Sequence, residues 1–240
     1  MTASKINYVV ACWAGRRRYM HPAYEADRTA FLRLHIRQLE HLQHDLALVT
    51  IVVNEGPDAE FDDFVDSLDG REVRETPIRV IRRPNVGMSY GAWADVFVRD
   101  GTAFSHYLWI EDDYVVVHDR FDTIMLEMMQ ASGCDYLCGF AADLGLGRHA
   151  AISNGLIRSE ILARVHQKYG TVPHASSQVD YSDNYVSGQV GASRAVIDVG
   201  GTLSDFTEFG WSAPWSDFGT IRTFRNQGGP ALIVPAETLL

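Results

Sequence analysis

The sequence is poor in cysteine, in long apolar runs and in positive charge. Its 240 residues include three cysteines, Cys12, Cys134 and Cys138, so one thiol stays unpaired in any disulfide scheme. These cysteines show no metal-ligand spacing, and a reducing cytoplasm is the expected location. No run approaches the roughly 18 unbroken apolar residues of a membrane-spanning helix. The first residues lack the apolar core of a signal peptide.

The charge balance disfavours a general nucleic-acid coat. The formal net charge is −10, whereas nucleic-acid phosphates are bound by clustered Lys and Arg. Two basic stretches, GRRR at 15–18 and RVIRRPN at 79–85, could still hold an anionic ligand locally. With 46% hydrophobic and 22% charged residues, the composition is that of a globular protein of one domain.

Apolar runs of strand length alternate with amphipathic stretches, which predicts a mostly parallel sheet covered by helices. The fold class is therefore α/β, with a single domain over residues 1–240. One long helix is expected from about Glu25 to His44, with His35 on its apolar face as a core residue rather than a ligand. The stretch 171–191 is polar and rich in tyrosine, and it is predicted to be a long loop. A loop of that length is either functional or disordered.

Three consecutive carboxylates, Glu111, Asp112 and Asp113, follow the predicted strand HYLWI and precede the apolar run YVVV. Adjacent like charges repel each other, so something must offset the repulsion. A carboxylate pair at a strand end can hold a divalent cation that keeps positions open for phosphate oxygens. The alternative is a solvated acidic turn. Other predicted strands end in loops rich in Gly and Asn, and open parallel sheets bind ligands at such ends.

These stretches resemble a known family. YLWIEDDYVVVHDRF is similar to the D-x-D segment, here in an E-D-D form, of GT-A-fold nucleotide-sugar glycosyltransferases. RPNVGMSYGAWADVF resembles the Asn-x-Gly…Gly segment of family 2 within that fold. SRAVIDVGGTLSDF looks like the acceptor-side helix, and WSDFGTIRTFRNQGGPALIVPAE like the closing segment. The resemblance implies a Rossmann-like GT-A domain with a nucleotide-sugar-binding half, 1–118, and an acceptor-side half, 119–240.

The resemblance also implies roles for residues on the donor side. Asp113 would coordinate Mn²⁺ or Mg²⁺, Asp112 would share the metal or touch the ribose, and Glu111 would support them. The end of the first strand would hold the base, through Ala11, Cys12 and Trp13. The nucleotide pocket would be completed by Asn54, Glu55, Arg83, Asn85 and Gly87. NEG stands where many members have D-D-G-S, which leaves the nucleotide open.

On the acceptor side, Asp217 falls on the general base of inverting members, and Arg222 or Arg225 would approach the phosphates. Ser216 replaces the usual Glu before that base, so four other acids remain rivals: Asp180, Asp183, Asp205 and Glu208. A late metal-binding histidine would be His149 or His174, or absent. Trp211 and Trp215 are suited to stacking on a sugar acceptor.

The function implied by the resemblance is metal-dependent, inverting transfer of a sugar from a nucleotide-diphosphate sugar, most often a UDP-sugar, to an acceptor hydroxyl. No Gln-x-x-Arg-Trp sequence follows, which disfavours a processive synthase. The acceptor would be a small molecule, a glycan or a lipid-linked group, and a nucleic-acid acceptor stays open. Two alternatives remain: a sugar-phosphate nucleotidyltransferase, and an inactive carbohydrate-binding protein of the same fold.

Overall fold

A computed structural model describes residues 5–15, 21–56, 58–143, 145–176, 184–210 and 232–240. The strands are β1 Ile6–Trp13, β2 Leu48–Asn54, β3 Glu72–Val73, β4 Thr76–Arg83, β5 His106–Glu111, β6 Tyr114–Val116, β7 Tyr136–Ala142, β8 His149–Arg158, β9 Leu203–Asp205 and β10 Ile233–Pro235. The α-helices are α1 Pro22–Ala26, α2 Ala30–His41, α3 Ala59–Asp66, α4 Met88–Asp100, α5 Phe121–Ser132, α6 Ser159–Tyr169 and α7 Gly191–Asp198. Asn184–Val190 forms a π-helical segment, and Phe206–Phe209 and Ala236–Thr238 are short 3₁₀ turns.

The main sheet is mixed and has the strand order β3-β4-β2-β1-β5-β8-β7-β9. Strands β4, β2, β1 and β5 form its parallel part, since β1 pairs in parallel with β2 and β5, and β2 pairs in parallel with β4; the edge strand β3 runs antiparallel to β4. The other part is mixed: β8 runs antiparallel to both β5 and β7, and β9 is parallel to β7. Strands from both parts of the chain therefore share one sheet.

The helices cover both faces of this sheet. Along β1, Tyr8 and Val10 point into a core formed with α2, α3 and α5, whereas Val9 and Ala11 point into a second core with α4, α6 and α7. This alternation is the period-2 pattern of a strand buried on both faces, which explains why the strands read as continuous apolar runs. The predicted α/β domain with a mostly parallel sheet is confirmed.

Two local predictions were wrong. The helix expected from Glu25 to His44 is split into α1 and α2, because Asp27 accepts hydrogen bonds from the backbone and hydroxyl of Thr29 at 2.8 and 2.5 Å and breaks the helix there. The loop expected over 171–191 contains the π-helical segment Asn184–Val190. Within the described ranges, no helix is long and apolar enough to cross a membrane.

A two-stranded sheet lies beside the main one and bears on the acidic segment. Strand β6, directly after Asp113, pairs antiparallel with β10, with Tyr114 opposite Pro235. The chain returns to this place after residues 211–231, which lie outside the described residues. The acidic turn is therefore bounded by β5 on one side and by the C-terminal strand on the other.

Candidate functional site

The candidate site lies at the carboxyl edge of the parallel strands. The register places Trp13 of β1 beside Asn54 of β2, and Asn54 beside Arg83 of β4. On the other side of β1, Ala11 lies beside Glu111 of β5. The predicted donor-side residues therefore come from four neighbouring strand ends or from the loops that follow them. This edge is where open α/β sheets bind their ligands.

The backbone of the acidic turn is held from several directions. The Asp112 N–H donates to the carbonyl of Ala11 at 3.1 Å, and the Asp112 carbonyl accepts from Nε2 of His35 at 3.1 Å. The carbonyl of Asp113 accepts from the N–H of Ala236 at 2.7 Å. The core helix α2, strand β1 and the C-terminal segment thus all fix this turn.

Glu111 is held by two residues that sequence reasoning missed. Its N–H donates to Oδ1 of Asn154 at 2.7 Å, and its carboxylate accepts from the hydroxyl of Ser89 at 2.7 Å. Asn154 lies in β8 and is buried. The available signal was a polar pair, Ser153 and Asn154, inside an otherwise apolar strand. Glu111 is therefore a supporting residue of the turn, and its charge is stabilised by the hydroxyl.

The two aspartates differ in exposure. Asp112 is 3% exposed, and its Oδ2 accepts from the N–H of Trp13 at 3.5 Å, a long and therefore weak hydrogen bond. Asp113 is half-buried. Within the described ranges, no group of three His, Cys, Asp or Glu side chains could hold a metal ion. The two adjacent carboxylates fit the Mg²⁺ pattern, in which one or two carboxylates bind and substrate phosphates and water fill the other positions.

The indole of Trp13 packs against the loops that follow β1 and β2. A Cβ atom placed on Gly15 would lie 2.0 Å from the six-membered ring, and one on Gly56 would lie 3.0 Å from Nε1. The carbonyl of Trp13 accepts a 2.5 Å hydrogen bond from the buried hydroxyl of Tyr24. Glycine at both positions thus leaves room for the ring between these two loops. Stacking of a base on Trp13 stays a prediction.

Arg83 and Asn54 bind each other. The guanidinium of Arg83 donates to Oδ1 of Asn54 at 2.6 Å, to the carboxylate of Asp95 at 2.5 Å and to the carbonyl of Val86 at 2.7 Å. Both side chains are buried, at 7% and 3% exposure. They tie β2, the loop after β4 and α4 together. Direct contact of either side chain with a nucleotide stays a prediction.

The loop from Asn85 to Gly87 leads into the N-terminus of α4. Gly87 has φ +72°, and Met88 follows with φ +49°, a conformation rare outside glycine. Gly87, the N-cap residue of α4, has no side chain that could cap the helix, so the first N–H groups of α4 are of the kind that can bind an anion. Oδ1 of Asn85 is buried and has no hydrogen-bond partner within the described ranges. This loop therefore places a hydrogen-bond acceptor, Oδ1 of Asn85, and the N-terminus of α4 at the carboxyl edge of the sheet.

The segment after α6 closes over this loop. A Cβ atom on Gly87 would lie 2.5 Å from Cδ2 of His174 and 2.9 Å from the carbonyl of Ala175. Nδ1 of His174 donates to the carbonyl of Val172 at 2.8 Å, so its neutral ring carries the lone pair on Nε2. His149, the other candidate late histidine, is buried between the carbonyl of Gly147 and the hydroxyl of Tyr185. Of the two, His174 lies at the carboxyl edge.

The remaining predicted residues divide into three groups. Ala11 and Cys12 are buried in β1, where the thiol of Cys12 donates to the carbonyl of Val52, and Glu55 is exposed just after β2. Asp217 lies outside the described residues, as do these other acceptor-side residues: Asp180, Asp183, Trp211, Trp215, Ser216, Arg222 and Arg225.

Two of the rival bases already have partners. Asp205 is 4% exposed and accepts from the N–H groups of Ala141 and Thr207, both at 2.9 Å. Glu208 is ion-paired with Arg148. Asp205 is therefore engaged within the fold, whereas Glu208 forms an ion pair at the surface, with its side chain 41% exposed. Whether either acid acts as the base stays open.

His35 is a core residue, as predicted, and its surroundings explain its protonation. It is 1% exposed, and burial lowers its pKa to about 4. Nε2 must carry the proton because a carbonyl only accepts, and Nδ1 then accepts from the hydroxyl of Tyr8 at 3.1 Å. The ring is neutral at physiological pH, and it connects two buried partners.

Comparison with known proteins adds information on the fold. No protein-family model and no protein of curated function matches the sequence. One similar structure is a candidate glucose-1-phosphate thymidylyltransferase from Bacillus anthracis in complex with sucrose, with TM-score 0.54, 12% identity, and coverage of 95% of this chain and 100% of that one. Another is 4-diphosphocytidyl-2C-methyl-D-erythritol synthase from Anaerococcus prevotii, with TM-score 0.51, 8% identity, and coverage of 93% and 92%.

A glycosyltransferase is also among the similar structures. It is GlyE from Streptococcus pneumoniae, with TM-score 0.42 and 12% identity over 86% of this chain. The chain spans about half the length of GlyE, 46% of it. At identities this low, similarity shows a common fold and not a common activity. The comparisons therefore place this chain in a Rossmann-like α/β fold, which the thymidylyltransferase and the synthase share with it.

Proposed function

We propose that the chain is a metal-dependent glycosyltransferase that moves a sugar from a nucleotide-diphosphate sugar, such as a UDP-sugar, to an acceptor hydroxyl. The observation that carries the proposal is that the acidic turn and the start of α4 meet at one carboxyl edge, where the hydroxyl of Ser89 donates to the carboxylate of Glu111. Cation ligands and an uncapped helix N-terminus there suit a diphosphate. The fold that the chain shares with the thymidylyltransferase is compatible with this proposal.

In this proposal Asp113 and Asp112 would hold Mn²⁺ or Mg²⁺, and a cation held there would offset the negative charge of the leaving diphosphate. The buried acceptor of Asn85 takes a hydrogen bond from a hydroxyl or N–H of the nucleotide. Asp217 takes the proton of the acceptor hydroxyl while its oxygen forms a bond to the anomeric carbon. The bond from that carbon to the diphosphate oxygen breaks at the same time, and the nucleotide diphosphate leaves with inversion.

The test measures the thermal stability of the full chain with UDP-sugars, with and without Mn²⁺. A ligand that binds the native state raises the melting temperature. We expect Mn²⁺-dependent stabilisation of the wild type and its loss in Asp113→Asn. Glu127→Gln is the matched control, because it removes one carboxylate charge on the exposed side of α5. In Asp217→Asn, binding should persist and sugar transfer should stop.

The outcomes separate the candidate functions. Tight Mn²⁺-dependent binding of UDP-sugars by Asp113→Asn would remove the metal role of Asp113. Stabilisation by a nucleoside triphosphate together with a sugar phosphate, but by no nucleotide sugar, would identify a nucleotidyltransferase instead. If none of these ligands raises the melting temperature of the wild type, both the glycosyltransferase and the nucleotidyltransferase hypotheses are contradicted.

A further inference from the structure

A buried hydrogen-bonded chain runs from strand β1 to the acidic turn. The hydroxyl of Tyr8 donates to Nδ1 of His35 at 3.1 Å, and Nε2 of His35 donates to the carbonyl of Asp112 at 3.1 Å. Tyr8 is 0% exposed and His35 is 1% exposed. Both rings are surrounded by the apolar core between β1, α2 and α5; the ring of Phe121, for example, meets Tyr8 edge-on.

An imidazole is an unfavourable side chain for a core position that only has to be filled, because its two ring nitrogens need hydrogen-bond partners. Burying a polar group without hydrogen bonds is unfavourable, whereas an apolar side chain of similar size carries no such cost. His35 uses both ring nitrogens, so its burial is compensated. Its neighbours on the same face of α2, Leu32, Ile36 and Leu39, are apolar. What distinguishes His35 from them is the hydrogen bond that reaches the turn.

The bond to Asp112 acts on the geometry of Asp113. The carbonyl oxygen of Asp112 belongs to the peptide unit that leads into Asp113, and a peptide unit is planar. Holding this oxygen therefore fixes the orientation of the peptide plane that contains the N and Cα atoms of Asp113. The next carbonyl, that of Asp113, is held by the N–H of Ala236 at 2.7 Å. Asp113 thus lies between two peptide groups that are both held from outside the turn.

We infer that His35 is a positioning residue, which directs the carboxylate of Asp113 toward the cation by holding the carbonyl of Asp112. The inference rests on the proposed function for the cation, but the hydrogen-bonding role itself can be measured without any ligand. His35 touches neither donor nor acceptor in this role. The carbonyl of Asp112 itself selects the tautomer with the proton on Nε2, and the hydroxyl of Tyr8 then donates to the free Nδ1.

Three variants test the inference. His35→Leu removes the donor to the turn, His35→Gln keeps an amide N–H donor at a reach similar to that of Nε2, and Tyr8→Phe removes only the outer hydrogen bond. Mn²⁺ binding in the presence of UDP is measured by electron paramagnetic resonance of the bound ion. Amide hydrogen exchange at Ala236 and Asp112 is measured by NMR on the metal-free protein.

We expect His35→Leu to weaken Mn²⁺ binding at least tenfold and to speed the exchange of both amides. His35→Gln should recover most of the affinity. Tyr8→Phe should lose stability but bind Mn²⁺ within about threefold of the wild type. A purely structural role predicts the contrary, that Mn²⁺ affinity in each variant follows its loss of stability, and that result would overturn the inference.

Other outcomes are equally decisive. If His35→Leu does not fold, His35→Gln is compared with Tyr8→Phe after the free energy of unfolding of both has been measured. The inference is wrong if His35→Gln binds Mn²⁺ more weakly than Tyr8→Phe although it is no less stable. If the wild type binds no Mn²⁺, the proposed function fails, and the exchange data still report on the hydrogen bond. Unchanged exchange in a folded His35→Leu would refute the positioning role.

Discussion

Replacing Gly87 by alanine measures how tightly His174 and Ala175 pack against the loop from Asn85 to Gly87. Alanine at φ +72° costs about 1–2 kcal/mol, because its Cβ crowds the following carbonyl in this conformation. At Gly87 the new Cβ would also lie 2.5 Å from the ring of His174 and 2.9 Å from the carbonyl of Ala175. Overpacking of this kind adds about 1–3 kcal/mol. We therefore expect Gly87→Ala to destabilise the protein by about 2–5 kcal/mol.

Gly133→Ala is a close control for the backbone contribution. Gly133 has φ 68° and ψ 15°, against φ 72° and ψ 15° at Gly87, and a Cβ there would meet nothing within 4 Å. Urea unfolding of both variants isolates the crowding as the difference in the free energy of unfolding. In a Gly87→Ala background, His174→Ala should recover part of that difference. If Gly87→Ala costs no more than Gly133→Ala, the segment does not close on the loop as described.

Two further predictions concern stability. Arg83→Met should lower the free energy of unfolding, measured with urea, by about 3 kcal/mol, because the acceptors of Asn54 and Val86 lose their donor. If stability is unchanged and UDP binding is weakened, Arg83 is a nucleotide contact instead. Burial lowers the pKa of His106 to about 4 in the folded protein. The unfolded chain therefore binds this proton at a higher pH than the folded protein does. As the pH drops from about 6.5 to 4, the free energy of unfolding should fall by at most about 3 kcal/mol. His106→Gln should flatten this pH dependence relative to exposed His41→Gln, and parallel curves for the two would contradict the prediction.

The fold was predictable because its strands are buried on both faces. Such strands appear in the sequence as unbroken apolar runs, and the amphipathic stretches between them can only be the covering helices. The break between α1 and α2 was harder to predict, because the 3.6-residue apolar pattern of α2 continues before it. What interrupts the helix is one local hydrogen-bonded turn at Asp27, and competition of this kind is not visible in the apolar periodicity.

The carboxyl edge was also predictable, but the partners within it were not. A polar side chain at a strand end can bind a ligand or a residue of a neighbouring strand. The same residue types serve both roles, so the sequence does not distinguish them. Asn54 and Arg83 are 29 positions apart in the chain and meet only because β2 and β4 pair in that register. The family resemblance predicted the same role for Asn54, Arg83 and Asn85, that of lining the nucleotide pocket.

The structure separates these residues by hydrogen bonding. Oδ1 of Asn54 already accepts a charge-assisted hydrogen bond from Arg83, and the residue is 3% exposed, so this oxygen is engaged within the fold. Oδ1 of Asn85 is buried without a partner in the described part of the chain, and leaving such an acceptor unpaired costs about 1–3 kcal/mol. In the proposed site, a nucleotide group that donates to Asn85 would recover this energy, whereas the Asn54 oxygen already has a donor. Among the predicted amide contacts, Asn85 is therefore the one whose removal should weaken nucleotide binding without a matching loss of stability.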